Sequence, residues 1–337
     1  MGVQLSDILE SRKIELESLR GKIIAIDAFN WLYQFLSSIR QYDGTPLKDL
    51  KGRITSHLSG LFYRTANLLE NGIKPVYVFD GEKPKFKKYA IEKRKEAKEI
   101  AMEKWKDALE RGDLIEAKKQ AQRTAELNEE MIKESKELLL AMGLPVIQAK
   151  SEGEAQCAVM CKNKDVNFSA SQDFDSLLFG SPAMVRNLNI TGKRIVRGRE
   201  IKIFPEIVEL EENLNRLGIT REQLIIVGIL VGTDYNLGGV KGIGPKKALE
   251  LVKRYKTIDK VLENVEWEFD VDPKEIYEFF LNPEFNDYSG KIIFKSIDPE
   301  KIKKILCDEH DFSEKRVNQV IESLSSPIQS SLSSWLR

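Results

Sequence analysis

Seven acidic residues stand at places in the sequence where predicted strands end or turns begin. They are Asp27, Asp80, Glu152, Glu154, Asp173, Asp175 and Asp234. Carboxylates gathered at one place repel one another unless cations neutralise them, and oxygen ligands without histidine or cysteine suit Mg²⁺ or Mn²⁺. Taken singly, each acid is more often a helix cap or a surface charge. The repetition of the pattern is what predicts a metal site.

Such a set of carboxylates fits one kind of chemistry well. Two divalent ions about 3.5–4 Å apart stabilise the in-line transition state of phosphodiester hydrolysis, and one of them lowers the pKa of the attacking water. The acids therefore predict metal-dependent cleavage of a phosphodiester bond.

The elements that must carry these acids follow from three apolar segments, residues 22–27, 74–80 and 166–173. Each is rich in β-branched or aromatic residues and ends in an acid, which predicts strands. Helical patterns at residues 31–40 and 55–70 separate the first two segments. This alternation predicts an α/β fold with a mainly parallel central sheet flanked by helices. Ligands of such sheets bind beyond the carboxyl ends of the strands, where these acids would lie.

Residues 82–137 differ in composition from the rest of the chain. Of these 56 residues 30 are charged, and Gly112 is the one glycine among them. This composition predicts long helices that project from the core, with a solvated spacer as the alternative interpretation. Lys87 and Arg94 are seven residues apart and would therefore share one face of a helix.

Charge is unevenly distributed along the chain. The 337 residues include 53 basic and 53 acidic side chains, so the formal net charge is zero. Residues 83–95 sum to +6 and residues 241–256 to +5, whereas residues 262–288 sum to −8. The zero argues against an unstructured basic nucleic-acid tail, but the basic blocks are compatible with a DNA-binding face.

No segment has the composition of a membrane span or of a secretory signal. The longest apolar run, residues 224–232, is far shorter than the roughly 20 residues that cross a bilayer. Three cysteines are too few for a disulfide framework, which indicates a reduced, intracellular protein. We expect the cytoplasm or nucleoid if the cell is archaeal, since no basic nuclear-targeting run follows the tail.

Several motifs together resemble those of structure-specific 5′ nucleases. They are Ile-Asp-Ala-Phe-Asn30, residues 72–81, the two acid pairs, Gly-Thr-Asp-Tyr235 and Gly242-Ile-Gly-Pro245. Within that superfamily the chain is similar to flap endonucleases of the archaeal and eukaryotic type, which residues 1–5 and 55–65 also fit. The similarity covers nearly the whole chain, and the motifs occur in the order and at the spacing of the family.

The resemblance implies a role for each of the seven acids. The first metal ion would be held by Asp27, Asp80, Glu152 and Glu154, and the second by Asp173, Asp175 and Asp234. Glu154 is a ligand that the two ions could share. The implied cofactors are two Mg²⁺ ions, for which Mn²⁺ can substitute.

The resemblance also implies catalytic cations and an aromatic DNA contact. Lys87 and Arg94 match basic residues at the base of a helical gateway, where they would stabilise charge developing on the scissile phosphate. Tyr33 matches an aromatic residue that stacks on a base near the cleavage point. The alternative for Tyr33 is core packing on an amphipathic helix.

A glycine-rich turn at residues 238–245 matches a helix-hairpin that binds duplex phosphates. The implied DNA contacts are Gly242, Gly244, Lys241, Lys246 and Lys247. Small residues let backbone N–H groups approach phosphate oxygens, and the lysines add counter-charge. Residues 312–316 resemble a region near the pocket for a 3′ flap, with a capped surface helix as an equal alternative.

The Ser-rich tail at residues 323–337 carries a second docking motif. Gln329, Leu332, Trp335 and Leu336 match the pattern that binds the sliding clamp PCNA, although Leu336 replaces the second aromatic residue of the commonest form. The apolar side chains would project together from one short turn into an apolar pocket. The alternative is an amphipathic turn that packs on its own domain.

The predicted organisation is a nuclease core over residues 1–260, which includes the helical gateway at 82–137 and the helix-hairpin region at 225–260. A C-terminal part of the nuclease domain at 261–322 and a flexible clamp-binding tail at 323–337 follow.

The implied function is that of a flap endonuclease, which hydrolyses branched duplex DNA at the base of a 5′ flap and acts weakly as a 5′ exonuclease. It would serve Okazaki-fragment maturation and long-patch base-excision repair, as a monomer apart from the clamp and without a membrane. Two alternatives remain: a related nuclease for Holliday junctions or repair bubbles, and a non-catalytic, clamp-binding DNA scaffold.

Overall fold

The computed structural model describes residues 2–189, 193–196, 199–288, 290 and 292–325. The chain forms two compact units. The first unit is drawn from residues 1–31, 76–100 and 147–292, and the second from residues 32–75, 101–146 and 293–337. Each unit is thus assembled from three separate segments, whereas the sequence interpretation used consecutive ranges, and that division stays a prediction.

A seven-stranded sheet has the order β1-β9-β6-β5-β2-β3-β4, and β7 and β8 form a separate antiparallel pair. The strands are β1 (Arg12–Lys13), β2 (Ile23–Asp27), β3 (Lys74–Phe79), β4 (Val146–Gln148), β5 (Phe168–Ala170), β6 (Ala183–Arg186), β7 (Lys193–Val196), β8 (Arg199–Lys202) and β9 (Glu206–Glu209). β2 pairs in parallel with β5, and β5 with β6, whereas β9 is antiparallel to both β6 and β1. The predicted α/β sheet is confirmed, with an antiparallel edge that makes it mixed.

Helices occupy most of the remaining described residues. They are α1 (Ala28–Ser38), α2 (Ser56–Glu70), α3 (Lys88–Glu110), α4 (Leu114–Ala121), α5 (Glu129–Ala141), α6 (Gly153–Lys162), α7 (Asp175–Leu178), α8 (Leu210–Leu217), α9 (Arg221–Val231), α10 (Pro245–Tyr255), α11 (Ile258–Leu262), α12 (Pro273–Leu281), α13 (Pro299–Lys303) and α14 (Glu314–Ser325). The charged segment at 82–137 is helical, as its composition predicted. Its longest helix ends before Gly112, whose φ of +71° suits glycine, and the Asp113 side chain caps α4.

The core of the first unit is a large apolar cluster. The apolar run at 224–232 forms most of α9, whose residues 224–230 are all buried in this cluster or beside it. A helix that is apolar on all sides is stable when it is enclosed by protein. Among the described residues, none of the helices has both the length and the apolar character needed to span a bilayer.

The second unit contains a largely buried chain of alternating acidic and basic side chains, here called the histidine network. It consists of Arg53, Asp49, His310, Glu134 and His57. Consecutive members lie 2.7 to 3.2 Å apart, from Arg53 Nε to Asp49 Oδ2 through to Glu134 Oε2 and His57 Nε2. Each carboxylate in the chain therefore faces positive or hydrogen-bonding neighbours.

Candidate active site

Asp27 and Asp80 lie at the ends of neighbouring strands of the sheet. Asp27 is the last residue of β2, and its Oδ1 accepts the N–H groups of Phe29 and Asn30 at 2.9 and 3.3 Å. Asp80 follows β3, and its Oδ1 accepts the N–H of Gly153 at 2.8 Å. Backbone donors at the starts of two helices thus orient both carboxylates.

Two glutamates enter the same place from the beginning of α6. Glu152 is the N-cap residue of this helix, and Glu154 lies in its first turn. Both Glu152 carboxylate oxygens accept hydrogen bonds from Lys87 Nζ, at 2.7 and 2.8 Å. Glu154 accepts a hydrogen bond from the Ser171 hydroxyl group.

The second acid pair follows β5. Asp173 Oδ2 accepts a hydrogen bond from Asn30 Nδ2 at 3.4 Å. Asp175 begins α7, and its Oδ1 accepts the N–H of Val3 at 3.0 Å. Because β5 runs parallel to β2, Asp173 leaves the sheet at the same edge as Asp27.

The two predicted catalytic cations reach these acids from the start of the charged segment. Lys87 is buried, with its Nζ 5.7 Å from the centre of the Tyr235 ring, and it pairs with Glu152. Arg94, on α3, places Nη2 2.5 Å from Asp234 Oδ1. The structure therefore brings all seven acids and both cations together in the first unit. We call the seven acids the acid cluster.

Burial, and then repulsion between neighbouring carboxylates, changes the pKa values within the acid cluster. Burial, and then the charges of Asp234 and Asp173, raise the pKa of Asp175 to about 8. Burial and the charge of Glu152 raise the pKa of Asp80 to about 6. These carboxyl groups therefore hold their protons more tightly than exposed aspartates do.

Two further acids of the cluster also have raised pKa values, whereas Asp234 has a lowered one. The pKa values of Asp27 and Glu154 lie well above their usual range, because of burial first and neighbouring carboxylates second. Burial alone would raise the pKa of Asp234, yet nearby positive charges, among them Arg94 and Lys87, lower it. A positive charge beside a carboxyl group of this cluster thus lowers the pKa of that group.

The donor set fits hard divalent cations, because every acid offers carboxylate oxygens and the like charges are only partly balanced. Across the described ranges, no three acidic, histidine or cysteine side chains have the arrangement that would hold a metal ion. Two of the seven acids are paired with cations of the chain: Lys87 engages both oxygens of Glu152, and Arg94 contacts Asp234.

Sequence reasoning gave no role to several residues that support the site. Asn30 and Ser171 each donate to one acid, and Tyr235 packs edge-on against Phe86 beside Lys87. Gly81 has no room for a side chain, since a Cβ there would collide with the carbonyl groups of residues 149 and 150. Asn30, Gly81 and Tyr235 stand within the acid motifs, and that proximity was the one available signal.

Of the predicted DNA-contacting residues of the hairpin, Lys241, Gly242 and Gly244 lie between α9 and α10, and Lys246 and Lys247 lie in the first turn of α10. Gly242, with φ of +74°, is exposed, and Gly244 is the N-cap residue of α10 and supplies no capping side chain. Lys241, Lys246 and Lys247 are exposed. A turn between two helices is therefore present here, and its role as a phosphate-binding hairpin stays a prediction.

The remaining predicted residues fall elsewhere. Tyr33 lies on α1, belongs to the second unit and has 45% of its surface exposed, so it is not a fully packed core residue. Residues 312–316 include the start of α14. The clamp motif, with Gln329, Leu332, Trp335 and Leu336, lies outside the described residues.

Comparison with known proteins identifies the family of the chain. The XPG N-terminal domain matches residues 1–101, and the XPG I-region matches residues 143–234. Flap endonuclease 1 of Pyrococcus abyssi is 59% identical over 99% of this chain and 98% of its own length. The structure of flap endonuclease-1 from Methanococcus jannaschii is 44% identical with a TM-score of 0.76, covering 96% of this chain and 98% of that one. The catalytic core of Rad2 in complex with DNA substrate is 26% identical with a TM-score of 0.70, covering 96% of this chain and 100% of that one.

The fold, the acid cluster and these similarities define a nuclease, a hydrolase that cleaves DNA. The chain belongs to the flap endonuclease family of XPG-type nucleases. The predicted fold class, family and enzyme class are confirmed. The roles of individual residues stay predictions.

Proposed function

We propose that this nuclease cleaves branched duplex DNA at the base of a 5′ flap by two-metal-ion hydrolysis, with weak 5′ exonuclease activity. The observation that carries the proposal is the acid cluster itself, in which carboxylates with raised pKa values share one edge of a sheet with Lys87 and Arg94. We propose Mg²⁺ as the cofactor, with Mn²⁺ able to substitute.

The ligands divide between the two ions as the sequence suggested. One ion would bind Asp27, Asp80, Glu152 and Glu154, and the other Asp173, Asp175 and Asp234, with Glu154 available to both. When bound, the ions would lower the pKa of the attacking water and neutralise charge at the phosphate. The chain's own donors, among them the N–H groups of Gly153 and Val3, would hold the carboxylates in place.

Lys87 and Arg94 would act on the substrate rather than on the water. Each now neutralises one carboxylate, Glu152 or Asp234. Glu152 and Asp234 are among the predicted metal ligands, so with metal bound there Lys87 and Arg94 would be available to the entering phosphodiester. Fixed cations beside the scissile phosphate stabilise charge that develops on its oxygens in the transition state.

The DNA itself would be held by phosphate contacts and stacking rather than by base readout. Backbone N–H groups at the start of α10, together with Lys241, Lys246 and Lys247, suit phosphate oxygens of the duplex. Tyr33 is half-exposed and suits stacking on a base. The likeness to the Rad2 core in complex with DNA substrate supports a DNA partner.

The proposed biological setting follows from the flap substrate. Cleavage of 5′ flaps would serve Okazaki-fragment maturation and long-patch base-excision repair inside the cell. The tail motif of Gln329, Leu332, Trp335 and Leu336 would dock a monomeric enzyme on the sliding clamp PCNA.

The test is cleavage of a double-flap duplex, a bubble and a four-way junction, with Mg²⁺ or with EDTA. We expect Mg²⁺-dependent cleavage at the flap base, with the other two substrates cut far more slowly. Asp175→Ala should abolish cleavage and spare DNA binding, while the exposed Asp270→Asn should behave like the wild type. Cleavage in EDTA, or preference for the four-way junction, would contradict the proposal.

A further inference from the structure

The beginning of the chain lies directly against the acid cluster. Val3 N–H donates to Asp175 Oδ1 at 3.0 Å, across 172 residues of sequence. Gly2 is also in contact, because a Cβ at this position would overlap the Asp175 carboxylate and come within 2.5 Å of Asp173 Cβ. The orientation of Asp175 therefore depends on where residues 2 and 3 are held.

A buried side chain on α8 holds the other end of this segment. Asn213 has 3% of its surface exposed. Its Oδ1 accepts the Glu10 N–H at 2.7 Å, and its Nδ2 donates to the Glu10 carbonyl at 3.0 Å. Nδ2 also donates to the Glu209 carbonyl at 2.9 Å. One carboxamide thus satisfies both backbone groups of a single residue, which fixes that residue in register.

Arg216, one turn further along α8, also holds this segment in place. It donates to the carbonyl of Ile8 and, at 3.1 Å, to Asn213 Oδ1. Between the contact of Glu10 with Asn213 and that of Val3 with Asp175, Leu5, Ile8 and Leu9 are buried in the apolar core of the first unit. A close-packed core transmits a displacement at one end of such a short segment to the other end.

We propose that Asn213 is a positioning residue for metal binding. It holds residues 2–10, here called the amino-terminal segment, in the register in which the Val3 N–H orients Asp175. This inference rests on the metal site proposed above and adds to it a residue of α8 that belongs to none of the acid motifs.

Asparagine is suited to this position because it offers one acceptor and one donor group side by side. Asn213→Asp keeps the shape but removes the donor and places a carboxylate against the carbonyl oxygens of Glu10 and Glu209. Asn213→Ala removes both contacts with Glu10. Asn215→Ala is the matched control, since Asn215 lies on the same helix and its Nδ2 contacts the exposed Glu211 side chain at 3.3 Å.

The experiment measures Mn²⁺ binding to the full-length protein, from the electron paramagnetic resonance signal of free Mn²⁺. Loss of a hydrogen bond to a metal ligand weakens metal affinity by about tenfold or more. We therefore expect about a tenfold higher dissociation constant in Asn213→Ala and Asn213→Asp, and wild-type affinity in Asn215→Ala. Thermal unfolding identifies the folded fraction, because a loss of folding alone would reduce the number of sites and leave their affinity unchanged.

A double-mutant cycle with Gly2→Ala separates positioning from general destabilisation. If Asn213 acts through the amino-terminal segment, the effects of Gly2→Ala and Asn213→Ala on Mn²⁺ affinity should not be additive. Should Asn213→Ala fail to fold, Arg216→Gln leaves the carboxamide in place and should weaken Mn²⁺ binding in the same direction.

Each result decides the matter. Unchanged Mn²⁺ affinity in a folded Asn213 variant, an unchanged affinity in Arg216→Gln, or additive effects in the cycle would overturn the positioning role while leaving the metal site intact. A wild-type protein that binds no Mn²⁺ would overturn the proposed metal site together with this inference.

Discussion

The acid cluster of the first unit and the histidine network of the second unit are both buried groups of charges, but they are balanced in opposite ways. In the histidine network acids and bases alternate, and hydrogen bonds from His310 and His57 lower the pKa of Glu134 to about 2, although burial alone would raise it. In the acid cluster, burial and neighbouring acids raise the pKa of Asp175 to about 8.

The contrast separates two uses of buried charge. In a network whose charges pair within the chain, removal of one member destabilises the fold, because it leaves the partner's charge buried and unpaired. A cluster of like charges costs folding free energy unless something from outside the chain binds to it. An added cation is therefore expected to stabilise the acid cluster more than the histidine network.

The largest expected effect concerns Arg94, the cation that contacts Asp234 of the acid cluster. Arg94→Ala should lower the single-turnover cleavage rate by about 100-fold or more, because a fixed positive charge beside the reacting phosphate is lost. Lys95→Ala is the control, since Lys95 is the next residue along α3 and is exposed. Rapid-quench assays give both rates, and an Arg94→Ala rate within twofold of the wild type would remove Arg94 from the mechanism.

Next comes the stability of the histidine network. Glu134→Gln should lower the free energy of unfolding by about 3 kcal/mol, the cost of breaking a buried ion pair by removing one partner. Glu137→Gln, on the same helix, should change it little. Urea unfolding measures both, and equal values for the two variants would mean that the network does not stabilise the fold.

Acid should erase that difference. Because the pKa of Glu134 is lowered from 4.5 to about 2, its contribution is present above pH 4.5 and is lost as the pH falls toward 2. The gap in unfolding free energy between wild type and Glu134→Gln should therefore narrow between pH 5 and pH 2.5. A gap that stays constant over this range would contradict the assignment.

The smallest effect on the free energy of unfolding is expected for a substitution within the acid cluster. In EDTA, Asp175→Asn should leave the free energy of unfolding unchanged or raise it. Burial and neighbouring acids raise the pKa of Asp175 to about 8, so folding must either protonate this carboxyl group or bury its charge, whereas asparagine is neutral and its Oδ1 can still accept the Val3 N–H. Calorimetry of wild type and variant tests this. A destabilisation as large as that of Glu134→Gln would show that the two clusters are built alike.

Local patterns were enough to predict the strands that end in or lead to acids, the α/β class and the charged helices; β5 is shorter than its predicted segment and ends three residues before Asp173. β2 and β3 lie within the predicted segments, because their β-branched runs are bounded by turn residues. The antiparallel edge formed by β1 and β9 was not predicted, since two strands nearly 200 residues apart in sequence, one of them only two residues long, give no local signal.

The support around the candidate site was beyond sequence reasoning for a similar reason. Val3 and Asp175 are 172 residues apart, and Glu10 and Asn213 are 203 apart. Their contacts arise only when these distant segments of the first unit pack together. The pairing of Lys87 with Glu152 was not predicted either. The family resemblance implied that Lys87 contacts the phosphate, and it named no partner for Lys87 in the absence of DNA.

The most direct test of the account is a crystal structure of the full-length protein with Mn²⁺, in which anomalous scattering locates the metal. We predict two anomalous peaks within the acid cluster, about 3.5–4 Å apart, with Lys87 moved away from Glu152 and Arg94 moved away from Asp234. A crystal with Mn²⁺ at saturating concentration that shows no peak among these carboxylates, while both ion pairs persist, would contradict the account.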